Sequence, residues 1–412
     1  MGAANLLSDT PILKTLYPQT EIEREWHEHM AFYAMLDKAE DFEGNNMVLA
    51  LRYGTTQGRS RSFGNAQANK TPTQLARFTI TRCRDYSLYS IDGETIDACG
   101  SNKGAIVDAV TTEVDGAMDA IKLSTARSIY RNFGGAIGVI GTLTTNAAFG
   151  PGANNVIALS DVNTVIFYEV GQIINLSATD GTSGSVLPGA AILTAVDRVN
   201  GLIACSAGFP TFIPAAAAGQ FVFTDGDFGL SCSGLDSWIP STAPGIADSF
   251  FGLNRSVDPV RLAGTRTVNT SGLAPEEALQ TGLQQVFRQG GRPKLVIEND
   301  ADFKLLVLSL GSRVIYETLE SDAEIGFEGV KVVGPYGPVT VIPDPNCQQG
   351  VAWMIDMRAW KFRSLKEFPR FLDLDKLGRM IRETTADAYE GRIGGYYQLM
   401  TDAPAWSARC FL

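Results

Sequence analysis

The chain has 412 residues, 45% of them apolar, with 34 Lys and Arg against 45 Asp and Glu for a net charge of −11. This length suits about two or three domains, the apolar share excludes wholesale disorder, and the negative balance argues against a protein whose main task is to wrap nucleic acid or lie on an anionic membrane. No apolar run approaches the roughly 20 residues of a bilayer span and MGAANLLSDT has no basic region followed by an apolar core, so the chain reads as soluble and not secreted.

Residues 20–43 read as a helical or irregular arm in which Glu21, Glu23, Glu25, Glu28, Asp37, Glu40, Asp41 and Glu43 outweigh Arg24 and Lys38. The next segment reverses the sign: Arg52, Arg59, Arg61, Lys70, Arg77, Arg82 and Arg84 occur without a single carboxylate among them. Alternating VLALRY at 48–53 and RFTIT at 77–81 predict strands on either side of the polar residues 54–76. A structureless loop of that length is uncommon inside a compact domain and is usually functional. A long two-stranded arm projecting from the body is expected. His27 and His29, the only histidines, fall on different faces of a helix, so they do not share a metal without ligands from elsewhere.

From Ser101 to Phe133 the period becomes helical, with Ile106, Val110, Val114, Ala117 and Ile121 recurring at three or four residues and Ser101 available as N-cap. Acids fill its first half and Lys122, Arg127 and Arg131 its second, which suits the helix dipole. Gly134-Gly135 is expected to end this long beam. Residues 154–228 then turn to Val, Ile, Ala, Gly and Thr in short runs (NVIAL, VIFYEV, IINLSA, AILTAV, FVFT), and Asn200-Gly201 is a two-residue hairpin signal. They predict a small β-sandwich or barrel.

Pro275-Glu276-Glu277 opens a helix through Phe287, Lys294 to Ile297 reads as a buried strand, and Asp300 caps a helix to Leu310. Gly334-Pro335-Tyr336-Gly337 has the turn chemistry of a hairpin with residues 330–333 and 339–342 as its arms, and Pro343 and Pro345 stop the second arm. VAWMIDMRAWKFRS and DAYEGRIGGYYQL read as further strands, the last region as a strand or helix pair.

Catalytic and cofactor motifs fail one by one. GGAIGVIG at 134–141 follows a helix and opens none, so it is no dinucleotide loop. Asp227-Phe228-Gly229 stands without the other kinase signatures. Asp373 and Asp375 are explained by a solvated surface more readily than as acid and base. Cys83, Cys99, Cys205, Cys232, Cys347 and Cys410 are scattered, with no C-x-x-C and no close spacing, and read as reduced, mostly buried thiols. No catalytic residue, cofactor or metal site is expected. The basic stretch remains: only Phe63 is aromatic within its polar loop, which argues against single-strand stacking. An acidic partner is the better reading, and residues 20–43 of a neighbouring copy would supply one. Arg52, Arg59, Arg61, Lys70 and Arg77, with Glu21, Glu23, Glu25 and Glu28, are the candidate contacts between subunits.

In this order of parts, with GFEGVKVVGPYGPVTVIPDPNC, AWMIDMRAW and DAYEGRIGGYYQL at 326–398, the chain resembles the major capsid proteins of tailed bacteriophages, whose fold is named after phage Hong Kong 97. The resemblance implies an α+β, Hong Kong 97-like capsid fold. Its parts would be an N-terminal arm at 1–47, an extended loop with supporting strands at 48–100 and the spine helix of a peripheral domain at 101–150. An inserted β domain at 151–228, a connecting segment at 229–274, an axial domain at 275–350 and a return to the peripheral domain at 351–412 would follow.

The resemblance further implies that many copies close, as hexamers and pentamers, into an icosahedral virion shell enclosing double-stranded DNA, assembled in the host cytoplasm. A portal is implied, with weak non-specific contact to the DNA, a possible decoration protein and no membrane. Some members join an extended-loop lysine to an asparagine of another subunit, and Lys70 is the lysine this loop offers. The N-terminus is too short for a cleaved scaffolding segment, so a separate scaffolding protein is expected. The alternatives are another structural component of the particle, tail or decoration, and an enzyme using scattered carboxylates.

Overall fold

The computed structural model describes residues 30–93, 103–269, 272–311, 316–320, 326–372, 380–384 and 386–412. The chain starts with α1 (Ala31–Met35), β1 (Asp37–Ala39), β2 (Asn46–Gly54), α2 (Phe63–Ala68), β3 (Gln74–Thr81), β4 (Cys83–Asp92) and α3 (Lys103–Ser128). A β-rich stretch follows: β5 (Gly138–Thr144), β6 (Val156–Leu159), β7 (Ile173–Ser177), β8 (Ala191–Ile192), β9 (Ala195–Asp197), β10 (Leu202–Ala204), α4 (Phe209–Phe212) and β11 (Phe221–Thr224). Next come α5 (Leu235–Trp238), β12 (Thr265–Val268), α6 (Pro275–Arg288), β13 (Leu295–Glu298), α7 (Asp300–Leu310) and β14 (Tyr316–Glu320). The chain closes with β15 (Gly326–Gly334), β16 (Gly337–Pro343), β17 (Val351–Ile355), β18 (Trp360–Ser364), β19 (Arg370–Phe371), β20 (Met380–Arg382), β21 (Ala388–Thr401) and β22 (Ala408–Phe411).

One sheet is organised by β21, a 14-residue strand. β4 pairs with it antiparallel from Ala388↔Asp92 to Tyr397↔Cys83, while β18, β19 and β20 share its other edge. Its glycines are needed for close approach: a Cβ on Gly391 would fall 2.1 Å from the Tyr89 ring, and one on Gly395 2.6 Å from Phe368. β1 adds parallel to β18. Asp37 there meets Lys361 at 3.6 Å, and Asp41 meets Arg363 at 2.8 Å. Part of the acidic stretch is thus matched within its own subunit, whereas Glu21, Glu23, Glu25 and Glu28, with both histidines and Ser101, lie outside the described residues.

Helix α3 packs over β4 and β21 and spans about 39 Å at 1.5 Å per residue. It stops at Ser128, five residues before the expected end at Phe133. The backbone beyond it is taken by other partners: the carbonyls of Ile129 and Tyr130 accept from Leu235 and Asp236 N–H, and Phe133 N–H donates to Ser237 Oγ. Helical bonds give way to bonds with a segment a hundred residues later.

The expected β region is a barrel. Its strands run β8-β7-β11-β5-β6-β10-β9, and the two ends of that path, β8 and β9, are separated only by Leu193 and Thr194. Leu193 N–H donates to Gln172 O on one side and Thr194 N–H to Ala204 O on the other, so the path closes on itself. Ile140, Ile157, Ile174, Leu176, Ala191, Leu193, Ile203 and Val222 form its dry core. The barrel begins at Gly138, ahead of the expected boundary at 151, because β5 pairs with both β6 and β11. VIFYEV is not a strand. Asp161 caps a 3₁₀ turn at Val162–Phe167, and Val165, Phe167 and Tyr168 join the barrel core. The hairpin at Asn200-Gly201 has a four-residue loop, since Asp197 pairs Leu202 and the Asp197 carboxylate accepts from Val199 and Asn200 N–H.

The third sheet runs β12-β22-β17-β13-β16-β15-β14 under α6 and α7. The hairpin registers Val330↔Val341 and Val332↔Val339 are those its turn residues predict, and Tyr336 at the tip packs edge-on against Phe287 at 4.2 Å. Helix α7 is capped by Asn299, whose side-chain Oδ1 accepts from Ala301 N–H, one residue before the expected Asp300. The C-terminal region that allowed a strand or helix pair is made of strands.

The chain enters and leaves the barrel at one point. Gly229 N–H donates to Gly134 O at 2.9 Å and Ser231 N–H to Phe133 O at 3.1 Å. Replacing residues 136–227 by a short Gly-Ser linker should therefore leave the circular-dichroism spectrum of the remaining chain folded, and the excised barrel should fold alone. An unfolded remainder would show that the barrel belongs to the main core.

Candidate assembly surface and buried charge sites

Strands β2 and β3 pair only with each other. Their inner face, with Leu51, Ala76, Phe78 and Ile80, is buried in the main core, where Phe78 meets Trp238 at 5.4 Å. Alternation puts Arg52 and Arg77 on the outer face, beside exposed Val48 and Leu75. Beyond Tyr53 the chain leaves the body. Residues 55–73 hold themselves together, with Thr56 and Thr73 hydroxyls 3.1 Å apart and Gln57 N–H on Thr71 Oγ1.

Arg59, Arg61 and Lys70 are exposed at this tip around α2, and Phe63 is 84% exposed there. The structure therefore brings Arg59, Arg61 and Lys70 to the tip and leaves Arg52 and Arg77 nearer the base. Among the described residues none of the five forms an ion pair. Arg82 does other work: its guanidinium donates to Phe42 O at 2.9 Å and covers the Phe42 ring, so it anchors the base.

Two buried charge sites were not among the sequence expectations. Where α3 meets the barrel, Arg127 lies 3.8 Å from Asp227, while Asp85 of β4 accepts from Ser124 Oγ at 2.7 Å. Burial pushes the Asp85 carboxyl up to about 6, with the Asp227 charge adding to the rise and Ser124 and Arg127 opposing it. Burial lowers Arg127, partly offset by the two carboxylates. Only the fold brings these residues together.

The second site is Glu298, which closes β13 with no exposed surface and no hydrogen-bond partner for either carboxyl oxygen. Asp302 and Asp344 are close in the chain fold, yet both are held: Asp302 accepts from Gly350 N–H at 2.6 Å and Asp344 from Tyr130 Oη at 2.6 Å. Burial, and then Asp302, raise Glu298 to about 8. It is a neutral acid in the fold at neutral pH. A charge in the apolar run LVIEND was the one available hint. Among the described residues no cluster of His, Cys, Asp and Glu could hold a metal.

Residues 214–388 match the family model of the SU10 major capsid protein. That match makes this part of the chain similar to a major capsid protein. The matched span, less than half of the chain, takes in the end of the barrel, the connecting segment, the α6–β17 region and the start of the return, including most of the sequence that carried the resemblance. No curated protein sequence matches. Solved structures with a similar course include the cyanophage A-1(L) capsid asymmetric unit, at 12% identity over 97% of this chain and 93% of that one, with a TM-score of 0.48. The holo-SrpI encapsulin complex from Synechococcus elongatus gives 9% identity, 98% and 91% coverage and a TM-score of 0.45. Mycobacterium phage Ogopogo gives 10%, 91% and 89%, and 0.40. With TM-scores below 0.5 these likenesses assign no residue a role here.

Glu298 gives the chain a pH-dependent stability. Its carboxyl has the ordinary glutamate value of 4.5 when unfolded and is raised to about 8 in the fold. Below the lower value both states are protonated and the stability is complete. Between the two only the unfolded state ionises, and stability falls by at most about 1.4 kcal/mol per pH unit. The urea midpoint of wild type should drop between about pH 5 and pH 8, and Glu298→Gln should flatten that drop. Equal slopes in the two proteins would refute it.

Proposed function

We propose that copies of this chain close into an icosahedral shell around double-stranded DNA, each clasping a neighbour with the arm at residues 54–76. The arm's three cations, Arg59, Arg61 and Lys70, without ion-pair partners among the described residues, carry this reading. A carboxylate-free projection with an exposed Phe63 at its tip has no ion-pair partner among the described residues of its own subunit, and a repeated assembly provides one on every neighbour. Asp37 and Asp41 are matched by Lys361 and Arg363, and Glu21, Glu23, Glu25 and Glu28 would be the acids that receive the arm.

The mixed α/β architecture fits the Hong Kong 97-like parts. β2–β3 would be the extended loop, α3 the spine helix, the β4–β18–β21 sheet the peripheral domain and the seven-stranded sheet under α6 and α7 the axial domain. The side-by-side strands at Phe133–Gly134 and Gly229–Ser231 support reading the barrel as an insertion. The role is structural, in the virion, with assembly in the host cytoplasm on a separate scaffolding protein, around a portal and with a decoration protein as a further partner. A match to a shell protein disfavours the tail and decoration readings.

Exposed ion pairs contribute only about 0.2 to 1 kcal/mol each, but a shell repeats them on every subunit. Replacing Arg59, Arg61 and Lys70 together by Glu should leave a folded subunit that gives no polyhedral particles by electron microscopy or sedimentation, where wild type does. Normal particles from the triple mutant would remove the arm from assembly. For the DNA, the net charge of −11 leaves no general attraction, so free subunits should hold duplex only weakly and release it at moderate salt. A salt-resistant complex in a gel-shift assay would contradict that.

A further inference from the structure

Cys83 and Cys232 are 149 residues apart in sequence, and their spacing suggests nothing. The fold puts them in contact. Cys83, the first residue of β4, is paired with Tyr397 of β21, and its Sγ donates to Tyr397 O at 3.1 Å. Cys232 follows the barrel, and its Sγ donates to Gln398 Oε1 at 2.9 Å. One side chain gathers the two segments. Gln398 Nε2 donates to Thr81 O at 3.0 Å while Gln398 Oε1 also accepts from Ser233 N–H at 2.9 Å. The two sulfurs lie within hydrogen-bonding reach of each other, and both are buried.

We propose that Cys83 and Cys232 form a latent dithiol that a small peroxide converts into an intrachain disulfide tying β4 to the segment leaving the barrel. The sulfur of one thiol attacks the peroxide O–O bond, giving a sulfenic acid and one water. The second sulfur then attacks the sulfenic sulfur, an S–S bond forms, and the hydroxyl leaves as a second water with the second thiol's proton. Two thiols are oxidised and one peroxide is reduced to two waters. Burial raises the Cys83 thiol well above its ordinary range and Cys232 adds to that rise, which holds Cys83 as the thiol. This accounts for a reduced pair in a reducing cytosol. An oxidant the size of hydrogen peroxide reaches such a site through local opening, which larger disulfides do poorly.

The other described cysteines offer no such pairing: Cys205 is in the barrel core, Cys410 donates to Ala278 O, and Cys347 to Ile297, Gln348 and Val351 carbonyls. The proposal does not depend on shell assembly and is tested on the soluble full-length chain. Peroxide treatment should cost each chain the mass of two hydrogens, with a non-reducing peptide map joining the peptides of Cys83 and Cys232, no dimer on a non-reducing gel, and full reversal by dithiothreitol. Cys83→Ala and Cys232→Ser should each abolish the link, while Cys205→Ser keeps it. Because wild type is mapped directly, the test stands even if one variant folds poorly. Thiols that stay reduced, sulfinic acids at either position, or a bond to any other cysteine would overturn the proposal.

Discussion

Trp238 is the contact on which the main body depends. It is fully buried in the short helix that follows the barrel, its indole N–H donates to Leu399 O of β21 at 2.9 Å, and its ring meets Phe78, Phe250, Phe251 and Trp360. Phe78 is the base of the projecting arm, Trp360 begins β18, and Leu399 belongs to the longest strand. One side chain thus joins the arm, the return from the barrel and the central sheet. Burying such a residue contributes on the order of 3–5 kcal/mol relative to alanine, comparable with the whole margin of many domains. Arg255 reinforces the place, donating to the Ser237 and Trp238 carbonyls while paired with Asp248 at 2.9 Å. The arm can be polar and extended at its tip because its root is fixed here.

The parts legible in the sequence were those whose cause is local. Gly334-Pro335-Tyr336-Gly337 fixes its own hairpin register, Pro275 opens α6, and alternation at 48–53 and 77–81 specifies two strands with one buried face. Where the cause was distant, the reading slipped. α3 ends early because Leu235 and Asp236 take the carbonyls of Ile129 and Tyr130. VIFYEV has the composition of a strand but the role of a barrel plug, since a short apolar run does not declare its period. The prolines and glycines of the hairpin around Gly334–Gly337 mark scaffold, and the glycines of β21 mark close approach to Tyr89 and Phe368.

The candidate site divides in the same way. The run of cations from Arg52 to Arg84 was plain in composition, and so was the lack of carboxylates to match it. Which of them face solvent was not, because that follows from strand pairing: Arg52 and Arg77 share an outer face, while Arg82 is drawn in over Phe42. The family match covers residues 214–388 and stops short of the arm, so the arm's role rests on its own chemistry. Arg127 with Asp85 and Asp227, the unpaired Glu298 and the Cys83–Cys232 contact each join segments far apart in sequence. A linear reading has no term for them.

The crossing of the chain at Gly134 and Gly229 has a consequence for how such a protein evolves. Both borders of the barrel fall on one hydrogen-bonded seam, so a coding segment between them can be lengthened, exchanged for an unrelated fold or lost, and the two ends are still delivered to the same place. Selection on the barrel and selection on the rest of the fold then act on separate stretches of one gene. The glycines keep the seam fixed: at Gly134 any side chain would strike Asp180 O, 2.0 Å from the Cβ position, and Gly135 has the positive φ that glycine alone takes readily. Recombination is free inside that boundary and constrained at it.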